Sequence, residues 1–159
     1  MQPRLEDRPE QFYLAIPATT SMEQLGQVVT THIQELQAWF AAHNIQPQGP
    51  PFVRYRAIDM PARLDIEVGI PVAVNASAPP HNRIKQDTLP QGLYGVLLHT
   101  GPLDKLVEAN ATLQKWAETE GMDWQLDGTT WAARTETMLT PPDVNPPQVE
   151  IAYLVRDTR

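Results

Sequence analysis

A chain of 159 residues with 42% hydrophobic side chains has room for one domain, or for two small fused repeats, around a real core. A net charge of −7, with 12 Lys and Arg in no basic cluster, argues against direct nucleic-acid binding and mildly favours cationic ligands. The absence of cysteine excludes disulfides, thiol catalysis and thiolate metal sites, and no apolar run approaches the roughly 18 residues of a membrane span.

The N-terminus has no signal-peptide pattern, so the expectation is a cytoplasmic protein without membrane contact. The first predicted element is a strand, Gln11–Ile16. Ser21 followed by Gln24 has capping-box spacing and opens a helix with the apolar stripe Leu25, Val28, Val29, Ile33, Leu36, Trp39 and Phe40. Asn44 and the prolines of residues 47–51 end it. Phe52–Ile58 reads as a second strand and Asp65–Val74 as a third. That third strand carries a glutamate in a β-branched run, with Ile66, Val68 and Ile70 on one face and Asp65, Glu67 and Gly69 on the other. Residues 76–89 are polar and irregular and are expected to be a loop crossing between two halves. Gly92–Thr100 is a strand, and Pro102 suits a first helical turn. The helix after it uses Leu103, Leu106, Val107, Leu113, Trp116 and Ala117, with Gly121 as its C′ residue. Thr130–Leu139 and Val149–Val155 complete the strands. Proline is abundant, at 16 residues, and its clusters near 47–51, 79–80 and 141–147 read as stiff connections.

The order is strand-helix-strand-strand, twice. Tyr13 to Tyr94 and Leu25 to Leu106 are each 81 positions apart, Glu67 to Glu150 is 83, and the offset of 81 sets Tyr55 opposite Glu136. The expected fold class is therefore α+β, in a single domain over residues 1–159 with repeats of about 8–75 and 88–157. The duplicated units would merge into an antiparallel sheet with both long helices on one face and a central ligand cleft.

Several side chains could serve that cleft. Arg134, Glu136 and Met138 share a strand face; on spacing alone this reads as an exposed Arg134–Glu136 pair of little worth. Glu67 is either solvated or held in a groove, and Glu150 reads as structural, paired with a neighbour such as Arg156. Tyr13, Tyr55, Tyr94, Trp131 and Tyr153 are either aromatic walls or ordinary core. Trp131 has the opposite strand parity to Glu136, so a shared wall would need a bulge. Trp39 and Trp116 read as core, and Met60 and Met138 as adaptable lining. The histidines have no metal-ligand spacing, and no phosphate loop, G-x-S-x-G or H-E-x-x-H occurs, so neither cofactor nor metal is expected.

Six phrases, in order, carry a resemblance. They are Arg8-Pro9-Glu10-Gln11-Phe12-Tyr13-Leu14-Ala15-Ile16, Gly49-Pro50-Pro51-Phe52-Val53-Arg54-Tyr55, Asp65-Ile66-Glu67-Val68-Gly69-Ile70-Pro71-Val72, Leu89-Pro90-Gln91-Gly92-Leu93-Tyr94, His99-Thr100-Gly101-Pro102 and Glu136-Thr137-Met138-Leu139-Thr140. Together they resemble the GyrI-like small-molecule-binding domain. That bacterial domain occurs alone and as the effector-binding part of AraC-type and multidrug-responsive transcription regulators. The resemblance implies the duplicated fold and a cleft for lipophilic, cationic or aromatic compounds over a floor glutamate. The floor glutamate maps onto Glu136 and the first-repeat glutamate onto Glu67, with Tyr55 and Tyr94 near the cleft. The expected ligand-binding set is thus Glu136, Glu67, Tyr55, Tyr94, Trp131, Met138 and Tyr13.

The expected activity is binding, by a stand-alone protein that sequesters or senses a lipophilic cationic or aromatic small molecule. The alternatives are hydrolysis of strained-ring molecules by the cleft glutamate, as in some relatives, and a protein partner such as gyrase or a regulator. This chain has Met138 and Leu103 where the family often has tyrosine, which takes a phenol from the expected hydrolytic site. With no DNA-binding segment ahead of residue 11, the chain is not expected to be a complete regulator by itself.

Overall fold

A computed structural model describes residues 2–59, 63–74, 76, 81–141 and 143–156. Their elements are β1 (Arg4–Arg8), β2 (Gln11–Thr20), α1 (Leu25–Ala42), β3 (Phe52–Asp59), β4 (Arg63–Pro71), β5 (Lys85–Leu89), β6 (Gly92–Thr100), α2 (Leu106–Thr119), β7 (Leu126–Asp127), β8 (Thr130–Trp131), β9 (Arg134–Met138) and β10 (Gln148–Leu154). No helix among them is long and apolar enough to cross a membrane.

Eight strands form one antiparallel sheet in the order β1-β6-β10-β9-β3-β4-β2-β5, so the fold class is α+β. The order is symmetric about its middle: β9 answers β3, β10 answers β4, β6 answers β2 and β1 answers β5. The halves meet where β3 pairs with β9, and there Arg54 faces Thr135 across the ladder. Those two residues are 81 positions apart, as are Tyr55 and Glu136, so a local twofold passes through the Arg54–Thr135 pair.

Two strands depart from the expectation. β5 lies within residues 76–89, which read as a loop, and β1 precedes the first predicted strand. Neither shows apolar alternation, because each is an edge strand held by its backbone, β5 on β2 and β1 on β6. Short charged edges such as Arg4–Arg8 and Lys85–Leu89 also discourage pairing with another chain. A third departure is that Thr130–Leu139 is not one strand. A bend at Ala132–Ala133 separates β8 from β9, and β8 pairs with β7 in a small ribbon.

Both helices stop as their sequences imply. Asn44 at φ 55 follows α1, with Ile45 N–H on the Phe40 carbonyl at 2.9 Å and Asn44 N–H on Ala41 at 3.4 Å. Gly121 at φ 72 follows α2, with the same bonds from Met122 to Ala117 and from Gly121 to Glu118. This left-handed C′ arrangement satisfies the last carbonyls, and glycine or asparagine adopts it at least cost. At the other end of α1 only half the capping box forms, as Ser21 Oγ accepts from Gln24 N–H at 3.3 Å. Pro102 precedes a short 3-10 turn, Leu103–Lys105, and Leu103 and Val107 are exposed rather than core.

Both helices lie on one face of the sheet. α1 packs over Leu14, Ile16, Val53, Ile66 and Val68, and α2 over Leu97, Ile151 and Tyr153. Near α2, a Cβ on Gly95 would stand 2.9 Å from the Trp124 ring, so only glycine lets that indole lie against β6. The curl of the sheet closes the other face around Tyr13, Ala15 and Phe52 on one side and Tyr94, Val96 and Leu154 on the other. Leu89 packs against both groups.

Candidate functional site

The twofold places four side chains on the helix-covered face, in the middle of the seam. Val53 pairs with Glu136, and strand alternation brings Tyr55 and Arg134 to the same face. The Tyr55 hydroxyl donates to Glu136 Oε1 at 2.7 Å, and Asn110 Nδ2 of α2 donates to Oε2 at 2.9 Å. Glu136 is only 8% exposed and Tyr55 only 7%. Among the described residues, no Lys, Arg or His lies within ion-pair distance of Glu136. This is a buried carboxylate with neutral donors alone, so much of its desolvation cost is left without an opposite charge. Burial, and secondarily the Glu136 charge, holds the Tyr55 phenol well above its ordinary value of 10.0, so it remains a donor.

Aromatic rings surround this pair. Tyr153 is fully buried, with ring centroids 5.2 Å from Trp131 and 4.9 Å from Trp124. Its hydroxyl donates to Asn110 Oδ1 and accepts from Gln114 Nε2 at 3.2 Å, so Gln114, Tyr153, Asn110 and Glu136 form one chain of bonds. The Arg134 guanidinium carbon stands 4.6 Å from the Tyr153 ring centroid, 4.7 Å from Trp131 and 5.8 Å from Tyr55. The bend at Ala132–Ala133 overcomes the parity of Trp131 and lets it join this wall.

The seven expected residues therefore divide. Glu136, Tyr55 and Trp131 come together, and Met138 packs at the edge of the α1 core. Glu67, Tyr13 and Tyr94 lie on the opposite face, which corrects the expectation of one shared cleft. Glu67 sits opposite Arg54 on β3, so it is Val68 that faces α1. The Glu67 carboxylate accepts from Tyr13 at 2.6 Å and pairs with Arg56 at 3.3 Å, while Arg54 donates to the Tyr13 oxygen at 2.6 Å. The Tyr94 hydroxyl is spent on the Pro90 carbonyl at 2.7 Å. Glu150 pairs with Arg8 at 2.7 Å rather than with Arg156. Met60 lies outside the described residues. The exposed Arg134–Glu136 pair does not form, since Glu136 is buried on neutral donors.

The sequence reading missed Asn110 and Gln114. Asn110 carried a signal: with Leu106, Leu113 and Ala117 it occupies the inward stripe of α2, where a polar side chain needs a partner. Two surface depressions do not reach Glu136. One of about 370 Å³ is lined by Gln114, Glu118, Met122, Asp123 and Trp124, and one of about 350 Å³ by Pro17, Thr19, Arg56, Asp65 and Glu67. Neither is lined by Glu136, which its two donors close over.

The four tyrosines give a first prediction. All are shifted upward by burial; Tyr94 and Tyr153 reach about 12. A folded value raised above the unfolded 10.0 gives stability that is whole below pH 10 and lost as pH rises toward the folded value. Base titration is expected to show no phenolate absorbance until a cooperative unfolding step above pH 10. A phenolate that titrates near 10 with the fold intact would refute this.

The GyrI-like small molecule binding domain matches residues 1–149. No curated protein sequence matches the chain. The fold is shared with EcmrR in its DNA complex, at 18% identity and TM-score 0.82, over 99% of this chain and 58% of that one. The chain thus spans little more than half of the EcmrR polypeptide. The EcmrR C-terminal domain alone aligns at 18% identity and TM-score 0.75, over 99% of this chain and 98% of that one. SAV2435 bound to tetraphenylphosphonium aligns at 12% identity and TM-score 0.65, over 98% of this chain and 94% of that one.

Proposed function

The chain belongs to the GyrI-like small-molecule-binding domain family, and from that premise we propose that it binds a lipophilic aromatic cation over the β3–β9 seam, with Glu136 as counter-charge. The observation that carries this reading is the state of the carboxylate: buried, and bonded to the neutral Tyr55 and Asn110 alone. A cation that enters beside it supplies an opposite charge within ion-pair distance, which the described residues do not, and the rings of Tyr55, Tyr153 and Trp131 offer it π faces. Leu103, in the 3-10 turn before α2, and Val107 of α2 are exposed apolar side chains that could meet a lipophilic ligand. Entry requires the Tyr55 and Asn110 contacts to open.

Tetraphenylphosphonium, the ion held by SAV2435, is the appropriate probe. Calorimetric titration is expected to show binding that Glu136→Gln weakens about tenfold to a hundredfold, each factor of ten being about 1.4 kcal/mol. Equal affinity of the two proteins would sink the assignment of Glu136. Read this way, the domain sequesters or senses its ligand as a binding protein in its own right. A net charge of −7 opposes direct DNA contact by this chain.

One observation favours a second reading. The Tyr55 hydroxyl stands 2.7 Å from Glu136, so the site does hold a phenol beside its carboxylate, the pairing that acid–base hydrolysis of a strained ring would use. The same two proteins decide it: consumption of an epoxide by the wild type, lost in Glu136→Gln, would replace sequestration with catalysis.

A further inference from the structure

Beside Glu136 the site already holds a cation. Arg134 shares its strand face two residues away, and its guanidinium lies within 4.6–5.8 Å of three ring centroids, those of Tyr153, Trp131 and Tyr55. These are the same rings a bound organic cation would use. Among the described residues no carboxylate pairs with the Arg134 guanidinium and no acceptor takes a hydrogen bond from it, so the charge is met by these three aromatic faces. The side chain is partly exposed, and water therefore reaches its donors. A flat, delocalised and weakly hydrated guanidinium suits this position in a way that an ammonium does not.

We propose that Arg134 is a built-in competitor for the cation site and sets its charge selectivity. Resting on the reading of Glu136 as ligand counter-charge, the assignment adds that a cationic ligand must expel the Arg134 guanidinium from the Tyr55–Trp131–Tyr153 rings before it can use them. Two effects follow from this geometry. Arg134 takes the π faces, and its positive charge offsets part of the attraction that Glu136 exerts. An aromatic anion of the same shape meets the opposite balance: it gains from Arg134 and loses from Glu136. Specificity of this kind comes from a built-in repulsive element as well as from the attractive one.

The test uses two ions of equal size and opposite charge, tetraphenylphosphonium and tetraphenylborate, titrated against the wild type, Arg134→Gln and Glu136→Gln. Arg134→Gln is expected to tighten the phosphonium about tenfold and to weaken the borate by a similar factor, a scale set by one charge pair in a partly screened site. Arg134→Lys keeps the charge but removes the flat stacking group, and it is expected to tighten the phosphonium by about threefold, following the weaker fit of ammonium to ring faces. It serves as the second variant if Arg134→Gln fails to fold. Phosphonium affinity that is unchanged or lower in the Arg134 variants, while Glu136→Gln still weakens it, would overturn the competitor role and leave the Glu136 reading standing. Affinity that responds to neither position would overturn both.

Discussion

Arg54→Met is expected to lower stability by about 2–4 kcal/mol, although it replaces a buried charge with a hydrophobic group. Arg54 is 4% exposed, at the twofold on the face away from the helices. Its guanidinium donates to the Tyr13 hydroxyl at 2.6 Å, to the Thr88 carbonyl at 3.1 Å and to the Ala132 carbonyl. One side chain thus joins β2, β5 and the bend that precedes β9. Among the described residues no carboxylate pairs with it; the nearest negative charge on its bonded chain is Glu67, reached through Tyr13. Swapping a buried ion for a hydrophobe is neutral or favourable when its partners change with it. Here the acceptors remain, and two of them are backbone carbonyls that lose a charged donor. That loss outweighs the relief of desolvation and of the unpartnered Nε. Arg54→Lys is not expected to restore stability, because one ammonium on a flexible stem does not span three acceptors. Denaturant titration checks both variants, and an Arg54→Met midpoint equal to or above wild type would refute the argument.

The position of Arg54 also explains what could be read in the sequence. The offset of 81 between repeats matched Tyr55 with Glu136, and the structure joins them by a hydrogen bond because the twofold passes one residue away, through Arg54 and Thr135. A register between repeats becomes a contact only at the axis; Tyr13 and Tyr94, with the same offset, remain far from Glu136 on the other face. Glu67 shows the limit of alternation. Parity states that Glu67 opposes Ile66 and Val68, but not which of the two faces a helix covers. That depends on pairing with β3, a long-range fact with no local signature. β1 and β5 escaped notice because an edge strand needs no apolar alternation. The bend at Ala132–Ala133 escaped because neither residue is a turn former; its carbonyls are held instead, Ala132 by Arg54 and Ala133 by Leu154 N–H at 2.8 Å.

Tyr153→Ala is the second large effect, with an expected loss of about 3–5 kcal/mol, the range for emptying a fully buried aromatic site. Its ring fills the space between Trp124 and Trp131 and carries the Arg134 guanidinium, so truncation leaves a cavity that the neighbouring indoles cannot close. Tyr153→Phe separates packing from polarity. It keeps the ring and strips Asn110 Oδ1 of its donor and Gln114 of its acceptor, for an expected loss of about 1–3 kcal/mol. Because Asn110 Nδ2 is the bond that reaches Glu136, Tyr153→Phe and Asn110→Ala are expected to be non-additive, with a coupling of about 0.5–3 kcal/mol. Additive losses would show that the four polar groups do not act as one chain. The ligand arm discriminates further. Tyr153→Phe leaves the Glu136 charge and all three ring faces in place, so tetraphenylphosphonium affinity is expected to stay within about threefold, less than the 1.4 kcal/mol of a tenfold change. A large loss of affinity in a stable Tyr153→Phe protein would mean that the hydroxyl contacts the ligand directly, and that Asn110 and Glu136 are not its route to the site.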